Sequence, residues 1–431
     1  QWSKHTEGPP DLLRRGVGPT PIHRWFPSIP PTRWTKSYEF MSCVEGMLEL
    51  HRVTGEAPLF EAAHNLYGLI RDWERSPVGS VSFNDKFVGA RGMLNTLAEI
   101  CDVVYWNRLA FELFRRTGDP AFLDEFERSL YNALLVGLAP DGAWGLRRLR
   151  TTHEHVPAHP HFLPHHHCCV DNLPRGLFQA VQATLWTDAD GLLLAFFEPL
   201  SAELKRPDGT HVHIEANGDV LADEPFRITV HTDRPTEFDL RIRRPYWARS
   251  MRAAVAGEPA GEVRGPWLSL RRRWSGATAV ELKLEVPIRP EVFDPAAHSW
   301  TADELADQAR EWASVGLARW DPVARKAVQV KTVTPADALP HTRAVYWFKG
   351  PVALARDARL GEWDPRRRWA WGAGEPPAPR AEPRPAPPDV WKAWRLVWPD
   401  GSTAEVCDFS SAGNTWDARS FFSAVWLCGE P

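Results

Sequence analysis

Cysteine is scarce in this chain, at six of 431 residues. That number is too small for a disulfide scaffold, which excludes the class of small disulfide-rich secreted domains. The chain also lacks any apolar run near the eighteen or so residues of a membrane-spanning helix, and the opening QWSK does not resemble a signal peptide. A formal net charge of −4 gives no electrostatic reason to expect nucleic acid or an anionic membrane as a partner.

What is present is typical of a large globular protein. A hydrophobic content of 43% with 25% charged residues is enough to build sizeable cores, and the length predicts two or three domains. Twenty-two Trp residues are an unusually high number, and their flat faces suit either sugar stacking or core packing. Because residue 1 is Gln and not Met, we expect a processed chain or part of a longer product.

A repeated helical hairpin is predicted in the first half. Gly55 ends one helix and Gly118 ends another, 63 residues later, and in each case a second helix follows. After Gly118, Asp119 can cap the next helix and Pro120 lies in its first turn. One more helix is predicted near 172–187, after the two hairpins. This repeat indicates stacked antiparallel helix pairs, as in an α/α toroid or solenoid.

After Trp186 the hydrophobic pattern changes to period two, which predicts an antiparallel β-sandwich. A short helix is expected at 302–316, and a strand at 346–354 with an interruption at Gly350 and Pro351. The Pro- and Arg-rich segment 363–389 is predicted to be a solvated linker or long loop. The expected strands are 192–200, 210–215, 226–232, 237–242, 267–272, 280–286, 346–354 and 390–397.

Metal-binding side chains are concentrated at 165–169, where the sequence is HHHCC, and at Glu99 and Cys101. Thiolate and imidazole are ligands that zinc prefers. The pattern favours one metal ion held by Glu99, Cys101, Cys168 and Cys169. Residues i and i+2 inside a helix point to different faces, so Glu99 and Cys101 must lie at a helix entrance. The spacing alone leaves open that the cysteines are core thiols beside a surface histidine run.

The order of four motifs resembles the β-L-arabinofuranosidases of glycoside hydrolase family 127. These are Glu-x-Cys at 99–101, TGD at 117–119, ERSLYN at 127–132 and Cys-Cys-x-x-Asn at 168–172. Segments 240–248, 349–354 and 412–416 are similar to strands of that family. The resemblance implies an (α/α)6 barrel followed by β-sandwich modules. The expected fold class is therefore α+β multidomain, with a barrel that lacks its N-terminal half.

The same resemblance divides the chain into four parts. Residues 1–188 are expected to be the C-terminal half of the catalytic barrel, and 189–360 a β-sandwich. Residues 361–389 are expected to be a linker or loop, and 390–431 strands that complete a sandwich. The missing helices leave room for a partner chain that supplies them, or for a homodimer.

The resemblance also assigns roles in a retaining glycosidase. Zn²⁺ is implied at Glu99, Cys101, Cys168 and Cys169, with Cys168 as the nucleophile. The family's general acid/base is a Glu sixteen residues before the ligand Glu, and Asp85 is the candidate here, fourteen residues before it. Asp85 can equally be a loop residue or a salt-bridge partner of Lys86.

Two further residues are expected to contact the sugar. His166 matches a family histidine that binds substrate, and Trp144 is a candidate for stacking on the sugar ring. Asn172 and Arg175 are expected to hold the cysteine loop by hydrogen bonds. The expected substrate is an oligosaccharide or other glycoside.

One alternative of a different class stays open. It is a non-catalytic carbohydrate-binding or structural relative in which zinc only fastens the fold. Because a thiol-based metal site favours a reducing compartment, the sequence leans toward a cytoplasmic location.

Overall fold

The computed structural model describes most of the chain. The described residues are 11–26, 36–83, 85–94, 97–138, 148–150, 152–153, 167–294, 300–306, 316–321, 326–332, 343–361, 367–371, 374–413 and 422–429. The predicted α+β multidomain class is confirmed, because a helical N-terminal region is followed by antiparallel β-sheets. In the described part of the chain, every helix is too short or too polar to cross a lipid bilayer.

Six α-helices form the first region among the described residues, and the long ones pack as antiparallel neighbours along the chain. They are α1 (Leu12–Arg15), α2 (Ser37–Thr54), α3 (Ala57–Trp73), α4 (Ile100–Thr117), α5 (Ala121–Ser129) and α6 (His167–Thr184). The π-helical turn Leu130–Leu134 continues α5. Helix α4 lies centrally, since it contacts α2, α5 and α6.

The repeated hairpin is confirmed in its details. Gly55 and Gly118 end α2 and α4 with φ angles of 73° and 70°, and each amide donates to a carbonyl four residues back at 2.8 Å. Glycine adopts this left-handed conformation without a Cβ clash. The carboxylate of Asp119 accepts from the Ala121 amide at 2.9 Å and so starts α5. Helix α6 begins earlier than predicted, at His167 instead of near 172.

Three short strands lie among the helices: β1 (Leu97–Glu99), β2 (Arg148–Arg150) and β3 (Thr152–His153). The first two pair with each other, and β3 joins the second large sheet described below. Strand β1 leads directly into α4, which brings Glu99 to the helix entrance.

The first large sheet has eight strands in the described residues and follows α6 without a break. Its strand order is β10-β9-β11-β8-β5-β4, and β6 and β7 extend it at β8. All pairs are antiparallel except β5 with β8. The strands are β4 (Leu185–Thr187), β5 (Gly191–Leu194), β6 (Leu200–Lys205), β7 (His211–Asn217), β8 (Phe226–Arg243), β9 (Ser250–Val255), β10 (Glu258–Glu262) and β11 (Trp267–Glu285).

The second large sheet has nine strands in the described residues, with β12-β15-β16-β19-β18-β17 as its main order. Strand β3 of the helical region reaches it through β20, while β13 and β14 form a separate pair. Its strands and that pair are β12 (Ile288–Phe293), β13 (Gly316–Asp321), β14 (Lys326–Thr332), β15 (Ala344–Lys349), β16 (Val352–Asp357), β17 (Arg380–Arg384), β18 (Ala393–Val397), β19 (Thr403–Asp408), β20 (Phe422–Ser423) and β21 (Trp426–Leu427).

Several strand predictions are wrong in detail. Segments 226–232 and 237–242 form one strand, and so do 267–272 and 280–286, because β8 and β11 pair along almost their whole length. The register of that pairing shifts between Trp274 and Gly276. Segment 192–200 splits between β5 and β6. The predicted interruption at Gly350 and Pro351 is confirmed, because these residues separate β15 from β16.

Two other predictions fall partly outside the described residues. The expected helix at 302–316 is helical at 302–306, and residues 307–315 lie outside the described ranges. The solvated-loop interpretation of 363–389 is wrong for Arg380–Arg384, which form β17, and for Trp369 and Trp371, which are buried. These two Trp side chains pack with Trp398 and Trp426 in an aromatic core.

The ERSLYN motif at 127–132 joins the helical region to both sheets. Glu127 is buried, forms an ion pair with Arg243 of β8 and accepts from the Trp247 indole at 2.8 Å. Asn132 donates to the Pro351 carbonyl at 2.9 Å and accepts from the Ala353 amide at 2.8 Å. The motif therefore fixes the position of the helices against the sheets.

Candidate metal centre

The first half of the candidate centre is built where β1 passes into α4. Glu99 has extended backbone angles (φ −105°, ψ 142°) and precedes the first residue of α4, while Cys101 is the second residue of that helix. This confirms the helix entrance that the sequence predicts. The change from strand to helix between them lets two side chains at i and i+2 face the same point.

The second half comes from the first turn of α6. Cys168 and Cys169 are the second and third residues of that helix, and their sulfurs lie 3.9 Å apart. Since α6 packs against α4, this turn lies beside Cys101 and Glu99. One ligand atom from each of Glu99, Cys101, Cys168 and Cys169 lies within 4.8 Å of all the others.

The separations fit a tetrahedral ion. With Zn–S bonds of about 2.3 Å, two thiolate ligands of one zinc lie about 3.7 Å apart. The Cys101 and Cys169 sulfurs are 3.6 Å apart, and the Cys169 sulfur lies 3.0 Å from the Glu99 carboxylate. The sulfurs are also too far apart for a disulfide, whose S–S bond is about 2.05 Å. Three thiols and a carboxylate are a suitable donor set for zinc.

The four groups differ in exposure. Glu99, Cys101 and Cys169 are buried, and Cys168 is exposed. The buried members can hold an ion away from bulk water, while the Cys168 sulfur is open to a molecule outside. Cys168 is thus the one thiol of this cluster that can both contact the ion and meet a ligand.

The pKa values of the three thiols are shifted in different directions. The hydrogen bond between the Cys101 and Cys169 thiols and the one from the Asn172 amide, the latter at 3.3 Å, lower the pKa of Cys101 in spite of its burial. Burial, followed by the negative charge of Cys101, raises the pKa of Cys168. The hydrogen bond to Cys101, followed by burial, raises the pKa of Cys169. A cation is therefore needed to make all three thiols anionic together.

A shell of hydrogen bonds surrounds the cluster. Arg175 donates to the Asn172 carbonyl oxygen at 3.3 Å, which orients the Asn172 amide toward the Cys101 sulfur. Asp102 is fully buried and accepts from Ser37 at 2.8 Å and from Ser82. Ser37 begins α2 and Ser82 lies in the loop that carries Asp85, so both segments are fixed to the first turn of α4.

Asp85 lies in a tight turn next to this shell. Phe83 and Lys86 exchange backbone hydrogen bonds around it, and its φ angle is 68°. Its side chain forms an ion pair with Lys36. Burial, followed by the negative charge of Glu99, raises the pKa of Asp85 to about 6.

Comparison with known proteins gives two family matches. Residues 32–180 match the model of the GH127 β-L-arabinofuranosidase catalytic domain, and residues 191–286 match that of the GH127 middle domain. Together the two matches span more than half of the chain. The chain belongs to glycoside hydrolase family 127.

Solved structures of this family share the fold. A GH127 β-L-arabinofuranosidase from Geobacillus stearothermophilus T6 is similar with a TM-score of 0.65 and 15% identity over 97% of this chain and 66% of its own. A second GH127 β-arabinofuranosidase gives 0.68 and 14%, over 97% and 64%. A third structure, described as a glycoside hydrolase, gives 0.65 and 14%, over 96% and 70%.

The chain thus spans slightly less than two thirds of the first two of these proteins. No curated protein sequence matches it. At this identity the structures support the fold of the family 127 chain and not the role of any single residue.

Not every predicted site residue can be placed. His166 and Trp144 lie outside the described residues, as does His165. The structure adds Lys36 and Tyr38 to the candidate site. Burial, then a hydrogen bond to Glu39, raises the pKa of Tyr38, and the charges of Cys168 and Asp85 add to the effect. Neither residue is part of a motif that the sequence analysis identified. Both lie at the start of α2, and only the folding of the chain brings them to the site.

Proposed function

We propose that this family 127 chain is the zinc-binding catalytic part of a retaining β-L-arabinofuranosidase-like glycosidase. The observation that carries the proposal is the cluster of Glu99, Cys101, Cys168 and Cys169, in which a single thiol is exposed. Bound there, zinc would keep the Cys168 sulfur deprotonated at neutral pH. Four protein ligands leave no position for a metal-bound water.

The proposed reaction has two steps. The Cys168 sulfur attacks the anomeric carbon, a C–S bond forms, and the bond to the leaving oxygen breaks as Asp85 protonates that oxygen. Water then attacks the same carbon and gives its proton to Asp85, while the C–S bond breaks and the sulfur leaves as a thiolate. Two displacements at one carbon retain its configuration.

The electrostatic environment of Asp85 is suitable for a general acid and base. The pKa of Asp85 is raised to about 6, which is close to neutral pH. A carboxyl group with such a pKa can donate a proton in the first step and accept one in the second. Lys36 holds one carboxylate oxygen by an ion pair. His166 and Trp144 remain proposed substrate contacts, and a homodimer or a partner chain that supplies further helices remains a prediction.

A second candidate function is a non-catalytic relative in which the metal only fastens α4 to α6. Two observations favour it: Asp85 is only 2% exposed, and Lys36 already pairs with it. Replacing Asp85 should lower the rate of glycoside hydrolysis if the chain is a glycosidase. A non-catalytic relative has no such rate to lower.

Hydrolysis of aryl β-L-arabinofuranosides separates them. General acid catalysis contributes about 10²–10⁴-fold, so we expect Asp85→Asn to lower kcat/KM by at least about 100-fold with phenol as the leaving group. With 2,4-dinitrophenol, which leaves without protonation, the loss in the first step should be much smaller. Asp72→Asn, at an exposed carboxylate of α3, is the matched control.

Three results would contradict the proposal. An inactive wild-type chain that holds zinc supports the fastening role. An unchanged rate in Asp85→Asn removes that residue from the reaction, and a large loss in Glu39→Gln instead would transfer the role to the exposed carboxylate beside Tyr38. Full activity in Cys168→Ser would exclude the sulfur nucleophile.

A further inference from the structure

A large hollow lies where the helical region meets both sheets. Its volume is about 940 Å³, and its walls come from the end of α6, from the segment between β5 and β6, and from the loops before β18 and after β19. Val181, which lines it, follows Cys168 by thirteen residues on α6, a distance of about 20 Å along a helix. A molecule in this hollow therefore does not touch the cysteine cluster.

Two aromatic rings form one wall of the hollow. The rings of Trp391 and Tyr131 are almost parallel, with an angle of 7° between their planes and 6.4 Å between their centroids. Tyr131 is buried, whereas Trp391 is 45% exposed. An indole that stays half exposed inside a concave surface offers a flat apolar face to a ligand.

A small polar group lies at one end of this wall. The Tyr131 hydroxyl donates to the Glu198 carboxylate. Burial raises the pKa of Glu198 despite that hydrogen bond, so the site does not favour a second negative charge. Ser410 and Ser201 also line the hollow. This end can hold one or two neutral hydroxyl groups and disfavours an anion.

Most of the remaining surface is apolar, although Thr184, Asp389 and Ser411 also line it. Leucine side chains from the π-helical turn, from the short turn that follows it and from β6 line the wall, as do Ala180 and Val181 of α6. A pentose carries a hydroxyl on nearly every carbon, and each would need a polar partner on burial. Pockets of this size with mostly apolar walls and a few convergent polar groups are typical of small-molecule sites, and such sites are frequent at domain interfaces.

One apolar side chain of the wall, that of Val181, is 70% exposed to solvent. A ring seated against Trp391 would cover part of Val181 and remove apolar surface from water.

We propose that this hollow is a second ligand site, separate from the cysteine cluster, which binds a neutral flat aromatic alcohol of the phenol class. The ring of the ligand lies against Trp391, and its hydroxyl forms a hydrogen bond with Glu198. The site stands independently of the glycosidase proposal, because none of its lining residues among those described belongs to the candidate metal centre.

Titration calorimetry of the full chain with 2-naphthol tests this site. For a ligand of this size we expect a Kd on the order of 100 μM. The hydroxyl-free 2-methylnaphthalene should bind about tenfold more weakly, because the buried polar end then lacks a partner. L-Arabinose should give no heat that depends on Trp391.

Three variants locate the binding. Trp391→Ala should weaken 2-naphthol binding at least about tenfold. Val181→Trp should fill the mouth and have the same effect, while the exposed helix position tolerates the change. Val53→Trp, at a similarly exposed valine of α2, is the matched control and should bind as wild type does. Thermal melts check that each variant is folded, and if Trp391→Ala is not, Val181→Trp decides.

Three outcomes overturn the proposal. One is the absence of 2-naphthol binding to the wild-type chain up to about 1 mM, the weakest affinity of interest. Another is Val181→Trp binding with wild-type affinity, which would place the ligand elsewhere. The third is arabinose binding that is lost in Val181→Trp, which would show that the hollow takes a sugar and not an aromatic alcohol.

Discussion

Single residues show which parts of the site a sequence can reveal. Glu99 and Cys101 were predicted at a helix entrance because i and i+2 can share a target only where the backbone leaves the helical path, and the structure confirms that entrance. Lys36 and Tyr38 were not predicted. Their roles depend on the packing of α2 against α4, which no local spacing encodes.

His23 is another residue that the sequence does not single out. It is buried between two carboxylates, with its ring nitrogens 3.3 Å from Glu74 and 3.2 Å from Glu304. Burial opposes its positive charge, but the hydrogen bonds to Glu304 and Glu74 outweigh burial and raise its pKa. Glu74 also accepts from the amides of Gly89 and Ala90, at 2.9 and 2.8 Å, in the segment that follows Asp85.

A pH dependence of stability follows from His23. A raised folded pKa means that the stabilisation is fully present below the unfolded value of about 6.5 and is lost as the pH rises through the folded value. We expect His23→Gln to lower the free energy of unfolding by about 2 kcal/mol at pH 6 and by less at pH 9. Denaturant titrations at both pH values measure this, and His211→Gln is the exposed control. A loss that does not change with pH would contradict it.

Secondary-structure elements were predicted best where a strong stop signal exists. Gly55 and Gly118 ended helices as predicted because each adopts a positive φ that other residues avoid. Strand ends were predicted less well, since β8 and β11 continue through polar positions at which the period-two pattern stops. Their mutual pairing over some fifteen residues on each strand outweighs local sequence preference.

Gly79 tests how closely one element approaches another. Its φ angle is 85°, and a Cβ there would lie 2.7 Å from Cα of Ser129 at the end of α5. We expect Gly79→Ala to lower the free energy of unfolding by more than about 3 kcal/mol, because neither backbone can yield cheaply. Gly55→Ala has the same strained φ but meets no atom within 4 Å, and should cost about 1 kcal/mol. Equal losses in thermal or denaturant unfolding would contradict this packing.

At the scale of the whole molecule, the fold class could be predicted because the hydrophobic period changes once, after α6. The contacts between the regions could not. Glu127 and Arg243 lie more than a hundred residues apart in the sequence and form a buried ion pair between α5 and β8. No pattern in either segment predicts this pair. The hollow beside Trp391 arises in the same way, from segments that are far apart in the sequence and meet only in the folded chain.

The central claim joins two distant segments, since the entrance of α4 and the first turn of α6 must hold one metal ion between them. Metal analysis of the purified chain after zinc addition and removal of excess metal tests it most directly. We predict about one zinc per chain in wild type and in Cys43→Ser, whose thiol is exposed and outside the cluster, and little or none in Cys101→Ser. A wild-type chain without zinc, or an unchanged zinc content in Cys101→Ser, would contradict the account.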